Sequence, residues 1–167
     1  MSTRGCVAIG TPKAWRGVYN HFDSYPTGLG IDVWDLLLHE KDLNEFAERL
    51  LSFDDWRSYL SGGICEYCGK KTTQPHSISG NIYINKTIKH PDPECKYHQH
   101  DTYENIEEAH VTHLNADPLF IEWVYVIDPQ KREFHILSGN FRAGCHELKG
   151  TYKLDSTEPD WERIKKF

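Results

Sequence analysis

Phe120-Ile121-Glu122-Trp123-Val124-Tyr125-Val126-Ile127 runs into Asp128-Pro129-Gln130-Lys131 and returns as Glu133-Phe134-His135-Ile136-Leu137. Both arms are rich in β-branched and aromatic residues, which fit a pleated surface better than a helix. The Asp-Pro-Gln-Lys interruption has turn chemistry, so the stretch predicts a β-hairpin. A further strand is expected near Thr151 to Leu154. The tail from Pro159 predicts a short helix with Trp161 and Ile164 turned inward.

The other end of the chain repeats the strand signal. Cys6 to Gly10 is short and apolar and stops at Thr11-Pro12, and Trp15 to His21 reads as its return strand. Asp23 to Gly30 (DSYPTGLG) holds one Pro and two Gly, which marks a shaped loop. Ile31 to His39 then predicts a buried helix with Asp32 near its positive end. Asp42 or Asn44 is the expected cap of a second helix, with Leu43, Phe46, Ala47, Leu50 and Leu51 on one face. Residues 101–117 are ambiguous, with a helical turn expected around Glu104 to His110. Strands at both ends and helices between them imply an α+β fold. The expected architecture is one antiparallel sheet of N- and C-terminal strands, covered by the two helices.

Residues 64–100 differ in composition from the rest. They hold three of the five cysteines, Cys65, Cys68 and Cys95, and four of the ten histidines. Cys65-Glu66-Tyr67-Cys68-Gly69 and Cys95-Lys96-Tyr97-His98 spell C-x2-C-x26-C-x2-H. Two thiolates at i and i+3 reach one ion when the chain turns tightly, and Gly69 relieves crowding after the turn. A structural Zn2+ on Cys65, Cys68, Cys95 and one histidine is therefore expected, with His98 first and His100, His76 and His90 as rivals. Such an ion supplies folding free energy to a segment with little core of its own, about 10 kcal/mol or more in isolated zinc modules. Four protein ligands leave no open position, so a catalytic zinc with Glu94 or Glu66 as base is the lesser reading. The structural alternative is a Cys65–Cys68 disulfide or packed free thiols. Ile82 to Ile84 is expected to form a short strand inside this lobe. The whole is read as one domain, 1–167, with the zinc lobe inserted at 64–100.

The lobe resembles zinc-ribbon modules, which dock nucleic acid or protein partners. That resemblance implies an adaptor role, with Lys70, Lys71, Lys86, Lys89 and Lys96 as the basic surface. A solvated surface explains the same lysines.

The loop near the N-terminus is the second candidate site. His21 and Asp23 stand at i and i+2, so an extended chain would put them on one face together with Tyr19. A histidine beside a carboxylate is oriented and made more basic, which suits acid–base work. This reading makes His21 the acid–base group, Asp23 its orienter and Tyr19 or Tyr25 the donors. Asn20, Gly28 and Gly30 would contact the ligand, the glycines by letting backbone N–H groups approach an anion at the helix start. The structural alternative is that these polar groups satisfy buried backbone and lock the turn. The expected ligand is small and polar or nucleotide-like. A last possibility is an N-terminal-nucleophile hydrolase using Ser2, or Cys6 as the nucleophile.

Tyr19-Asn20-His21-Phe22-Asp23-Ser24-Tyr25-Pro26-Thr27-Gly28-Leu29-Gly30 and the late Trp123 to Asp128 strand resemble segments of small, uncharacterised bacterial and phage-type proteins. That resemblance implies common membership and brings no activity with it.

Bulk properties bound these readings. The chain has 167 residues, 38% of them hydrophobic, which suits one domain with one core. A formal net charge of −6 argues against a sequence-indifferent nucleic-acid binder, which needs surplus cations to displace phosphate counterions. Mean hydropathy is −0.64, and no apolar run approaches the ~20 residues of a membrane span. The start MSTRGCVAIG lacks a secretory apolar segment. The cysteine count is five, an odd number, which fits metal-bound thiolates in a reducing cytoplasm better than a disulfide framework.

Overall fold

The computed structural model describes residues 3–20, 23–51 and 110–166, and the backbone of 77–78 and 82–83. The strands are β1 (Gly5–Thr11), β2 (Ala14–Asn20), β3 (Ser77–Ile78), β4 (Ile82–Tyr83), β5 (His110–Thr112), β6 (Trp123–Asp128), β7 (Glu133–Asn140) and β8 (Cys145–Lys153). The helices are α1 (Ile31–His39), α2 (Leu43–Leu51) and α3 (Trp161–Ile164), with a single π-helical turn at Pro26–Gly30.

Six strands form one sheet in the order β5-β2-β1-β6-β7-β8. Every neighbouring pair is antiparallel except the central one. There β1 and β6 run parallel, with Gly5 opposite Trp123 and Ile9 opposite Ile127. The α+β class therefore holds, but the sheet is mixed and not antiparallel as expected. A tight turn forces two strands to be antiparallel, whereas β1 and β6 lie more than a hundred residues apart and are free to pair either way. Burial accounts for their central place. Trp123 to Asp128 is buried at every position, and so is Gly5 to Ala8. Strands covered on both faces read as continuous apolar runs, not as alternation.

The pleat sorts side chains onto two faces. On one, Val7, Val18, Trp123, Tyr125, Ile127, Phe134 and Ile136 form a core with Leu29, Val33, Trp34, Leu37, Phe46, Leu50, Trp161 and Ile164 from the helical layer. Its centre is aromatic. Phe134 stacks on Tyr125 at 5.9 Å and meets Trp34 edge-on at 5.7 Å and Trp161 at 6.4 Å. Truncating such a buried Phe typically removes about 3–5 kcal/mol. On the other face, Cys6, Ala8, Trp15, Val124, Val126 and Leu137 pack with Ile121.

Side-chain caps open two of the helices. Asp42 Oδ1 accepts the N–H groups of Asn44 at 2.9 Å and Glu45 at 3.1 Å, which makes Asp42 the cap of α2. Leu43, Phe46, Ala47 and Leu50 are its buried stripe. Asp160 caps α3 by accepting from the Arg163 N–H at 3.1 Å, and Trp161 and Ile164 point inward as expected. His110, expected in a helical turn, opens β5 and lies opposite Val18. β8 starts six residues earlier than the strand expected at Thr151, with a register shift against Ile136/Leu137. No described helix is long and apolar enough to cross a membrane.

The four zinc ligands expected at Cys65, Cys68, Cys95 and His98 lie outside the described residues. Of the lobe at 64–100, the backbone of β3 and β4 is described. The two strands pair antiparallel, Ile78 opposite Ile82, which agrees with a strand at Ile82-Tyr83.

Candidate functional site

The N-terminal loop leaves the sheet at Asn20, the residue opposite Gly5 in the β1–β2 ladder. His21 lies outside the described residues. Asp23 has φ +51°, in the left-handed region. Few residues accept that region without cost, and Asp is among the more tolerant. The chain therefore turns at Asp23, and the even alternation of an extended strand does not continue through it.

What holds Asp23 there is a buried lattice. Ser24 is fully buried; its N–H donates to Thr3 O at 3.1 Å and its Oγ accepts from Asn20 Nδ2 at 2.7 Å. The Tyr125 hydroxyl donates to Ser24 O at 2.7 Å, tying the loop to β6. Leu29 N–H donates to Asp23 O at 3.0 Å. The N–H groups of Gly28 and Gly30 both donate to Tyr25 O, at 2.9 and 3.5 Å. Close packing explains both glycines. A Cβ on Gly28 would stand 2.5 Å from Asp23 O, and one on Gly30 would stand 3.1 Å from both the Tyr125 and Trp161 rings.

Asn20, Ser24 and Gly30 are thus buried framework, while Asp23 is exposed and Tyr25 is partly so. The fold brings Asp23 and Tyr25 together: the Tyr25 hydroxyl donates to Asp23 Oδ1 at 3.4 Å. Lys165, which follows α3, places its ammonium 5.2 Å from the centre of the Tyr25 ring. Tyr19 sits elsewhere, packed against the Cys6–Trp15 cluster, whereas Tyr25 packs on the helical side. Burial raises the Tyr19 hydroxyl pKa, and the Arg4 guanidinium partly offsets the rise.

Comparison of the chain with protein-family models, curated proteins and solved structures found no significant match. The site's chemistry therefore rests on its own residues.

Cys6 does not suit a nucleophile. It is wholly buried, its Sγ is 3.7 Å from Val7 O, and burial drives its thiol pKa far up. A nucleophilic thiol needs the opposite environment, accessible and electropositive. Ser2 lies outside the described residues.

Among the described residues, one group of potential metal donors converges. Asp128, Glu133 and His135 offer ligand atoms that all lie within 4.8 Å of one another. Asp128 ends β6, Glu133 begins β7 directly opposite it, and His135 follows on the same face. Asp128 Oδ1 accepts the N–H groups of Gln130 at 3.0 Å and Lys131 at 3.1 Å, closing the hairpin turn. His135 Nδ1 lies 2.9 Å from Thr151 Oγ1, and its Nε2 lies 3.7 Å from Glu133 Oε2. Burial lowers the His135 pKa, against the pull of Glu133 and Asp128. The sequence of this stretch predicts the hairpin and its turn, and no metal site is expected from it. The signal was present: a hairpin closed by Asp and Glu sets those carboxylates opposite each other, and position i+2 shares their face. Lys165 carried no such signal, since only tertiary packing takes it to Tyr25.

Proposed function

We propose that this chain binds a small polar ligand of the sugar-phosphate or nucleotide kind at the loop around Asp23 and Tyr25. The observation that carries the reading is Asp23 itself. An exposed carboxylate is held in the left-handed region by buried neighbours, beside a phenol. Backbone strain fixed in this way gathers at functional sites, and so do isolated π turns like Pro26–Gly30. A carboxylate accepts from ligand hydroxyls, the phenol donates or accepts, and the Lys165 ammonium attracts an anionic group. Together they match a ligand bearing both hydroxyl donors and phosphate. His21, next but one to Asp23, is the acid–base group of this proposal if turnover occurs. A structural Zn2+ on Cys65, Cys68, Cys95 and His98 belongs to the same proposal, supported by their spacing.

The test is ligand-observed NMR with AMP, adenosine and inorganic phosphate as probes. Asp23→Asn keeps a residue that tolerates the left-handed region and removes the charge. The expected result is saturable AMP binding to the wild type and its loss in Asp23→Asn, with melting temperature held within about 3 °C, the shift that ~1 kcal/mol produces in a chain of this size. Undiminished binding in Asp23→Asn overturns the reading, and so does the absence of binding by every probe.

A further inference from the structure

We propose that Asp128, Glu133 and His135 form a binding site for one divalent transition-metal cation. The site stands apart from the Asp23 loop. The loop adjoins the start of β6, where Gly5 faces Trp123, and Asp128 is the last residue of that strand. Five residues of rise separate them, roughly 17 Å along the strand.

The first observation is convergence. Two carboxylates and an imidazole come from both arms of one hairpin. Their donor atoms lie within 4.8 Å of one another. Donors bound to one such ion at about 2.1 Å stand roughly 3–3.5 Å apart, so closure asks for a small movement. Glu133 can supply it: its side chain is 20% exposed, against 4% for His135.

The second observation is independent of the first. His135 Nε2 is buried from solvent and has no hydrogen-bond partner. A buried polar atom left in this state is costly, and native structures rarely leave one. Its other nitrogen is already engaged by Thr151 Oγ1 at 2.9 Å. In the tautomer where Nδ1–H donates to that hydroxyl, Nε2 turns a lone pair toward the two carboxylates. Metal-ligating histidines are held in this way, with the remote N–H fixed by an oxygen acceptor. Asp128 is similarly half engaged: Oδ1 takes the two turn N–H groups, which leaves Oδ2. No lysine or arginine among the described residues forms an ion pair with Asp128 or Glu133. The group thus gathers two carboxylates and a lone pair; the Lys131 charge is felt at His135 and Lys153 lies opposite Glu133 in the β7–β8 ladder, neither of them ion-paired with the carboxylates.

The donor set names the class of ion. Imidazole with carboxylates suits Mn2+, Fe2+ or Zn2+; an all-oxygen shell would favour Mg2+ or Ca2+. Water completes the coordination on the Glu133 side.

Mn2+ is the probe of choice, because it has little affinity for the thiolates of the proposed zinc lobe. The experiment titrates Mn2+ into the full-length protein, with free Mn2+ read by its EPR signal. The wild type is expected to bind one Mn2+ per chain and to lose the NMR resonances of Thr151 and His135 by paramagnetic broadening. Glu133→Gln, a rim substitution that keeps size and fold, is expected to weaken binding at least about tenfold, as is His135→Gln. Absence of saturable Mn2+ binding overturns the proposal. So does undiminished binding in folded Glu133→Gln, or broadening confined to residues away from β7 and β8.

Discussion

The Tyr125 hydroxyl donates a 2.7 Å hydrogen bond to the carbonyl of Ser24, joining residues 101 positions apart in the chain. Tyr125 is wholly buried between Phe134 and the loop, and burial raises its phenol pKa well above the ordinary value. It therefore stays a neutral donor throughout the physiological range. Tyr125→Phe keeps the ring stack and removes the donor that ties the buried Ser24 carbonyl to β6. The expected cost is about 1–3 kcal/mol. Urea denaturation will show it as a lower midpoint with an unchanged m-value. The Asp23 turn rests on that carbonyl, so amide exchange at Leu29 is expected to quicken in the same variant.

Asp23 itself separates stability from function. At φ +51° the position suits glycine, which has no Cβ to strain. Asp23→Gly is expected to leave stability level or raised by up to about 1 kcal/mol, while AMP binding disappears. This opposition is the pattern of a strained functional residue. A variant that loses stability and binding together would mark Asp23 as framework only. Thermal denaturation beside the NMR titration makes the comparison.

The parts of the fold written in local pattern were legible. The Trp123–Leu137 hairpin, the β1–β2 hairpin, the Leu43–Leu51 stripe and the inward Trp161 and Ile164 each follow from spacing within a short window. The parallel β1–β6 pairing was not, because it is decided by contacts across the chain. A hint existed in the unbroken apolar runs at 6–9 and 123–127, which report burial on both faces. The polar first half of β8 gave no pattern, since an edge strand packs on one neighbour only. Residue types mark Asp23 to Gly30 as a shaped loop, and their spacing puts Tyr19, His21 and Asp23 on one face of an extended chain. The left-handed turn at Asp23 and the burial of Asn20 and Ser24 belong to tertiary structure. Neither can be seen in residue types alone.

Acid pH should weaken the domain through His146. Its Nε2–H donates to Ile121 O at 2.6 Å, and its ring meets Trp15 edge-on at 6.0 Å. Burial lowers its pKa, partly opposed by the Ile121 carbonyl and the Asp117 carboxylate. The unfolded chain thus takes up a proton at higher pH than the folded one. The stability this contributes is full above the unfolded value near 6.5. It declines as pH falls from there through the lowered folded value. His146→Gln retains a side-chain donor but does not titrate, so its urea midpoint between pH 8 and 5 should fall less steeply than that of the wild type. Parallel curves would remove His146 from the account.

The proposed zinc ion makes the most direct prediction. C-x2-C-x26-C-x2-H implies one zinc per chain from residues 65–98, released by chelator or by loss of a thiolate. Elemental analysis of purified wild type should give one bound zinc that Cys65→Ser and Cys95→Ser each lose. His98→Ala should lose it and His100→Ala keep it, if the knuckle spacing governs. Because ligand binding is coupled to folding in such modules, chelation should also collapse the dispersed NMR signals of residues 64–100. Signals of the six-stranded sheet should stay in place, since all six of its strands, and the described helices packed on it, lie outside that segment. Zinc retained by Cys65→Ser would exclude the thiolate site. Simultaneous loss of the sheet signals would show instead that segment and sheet fold as one unit.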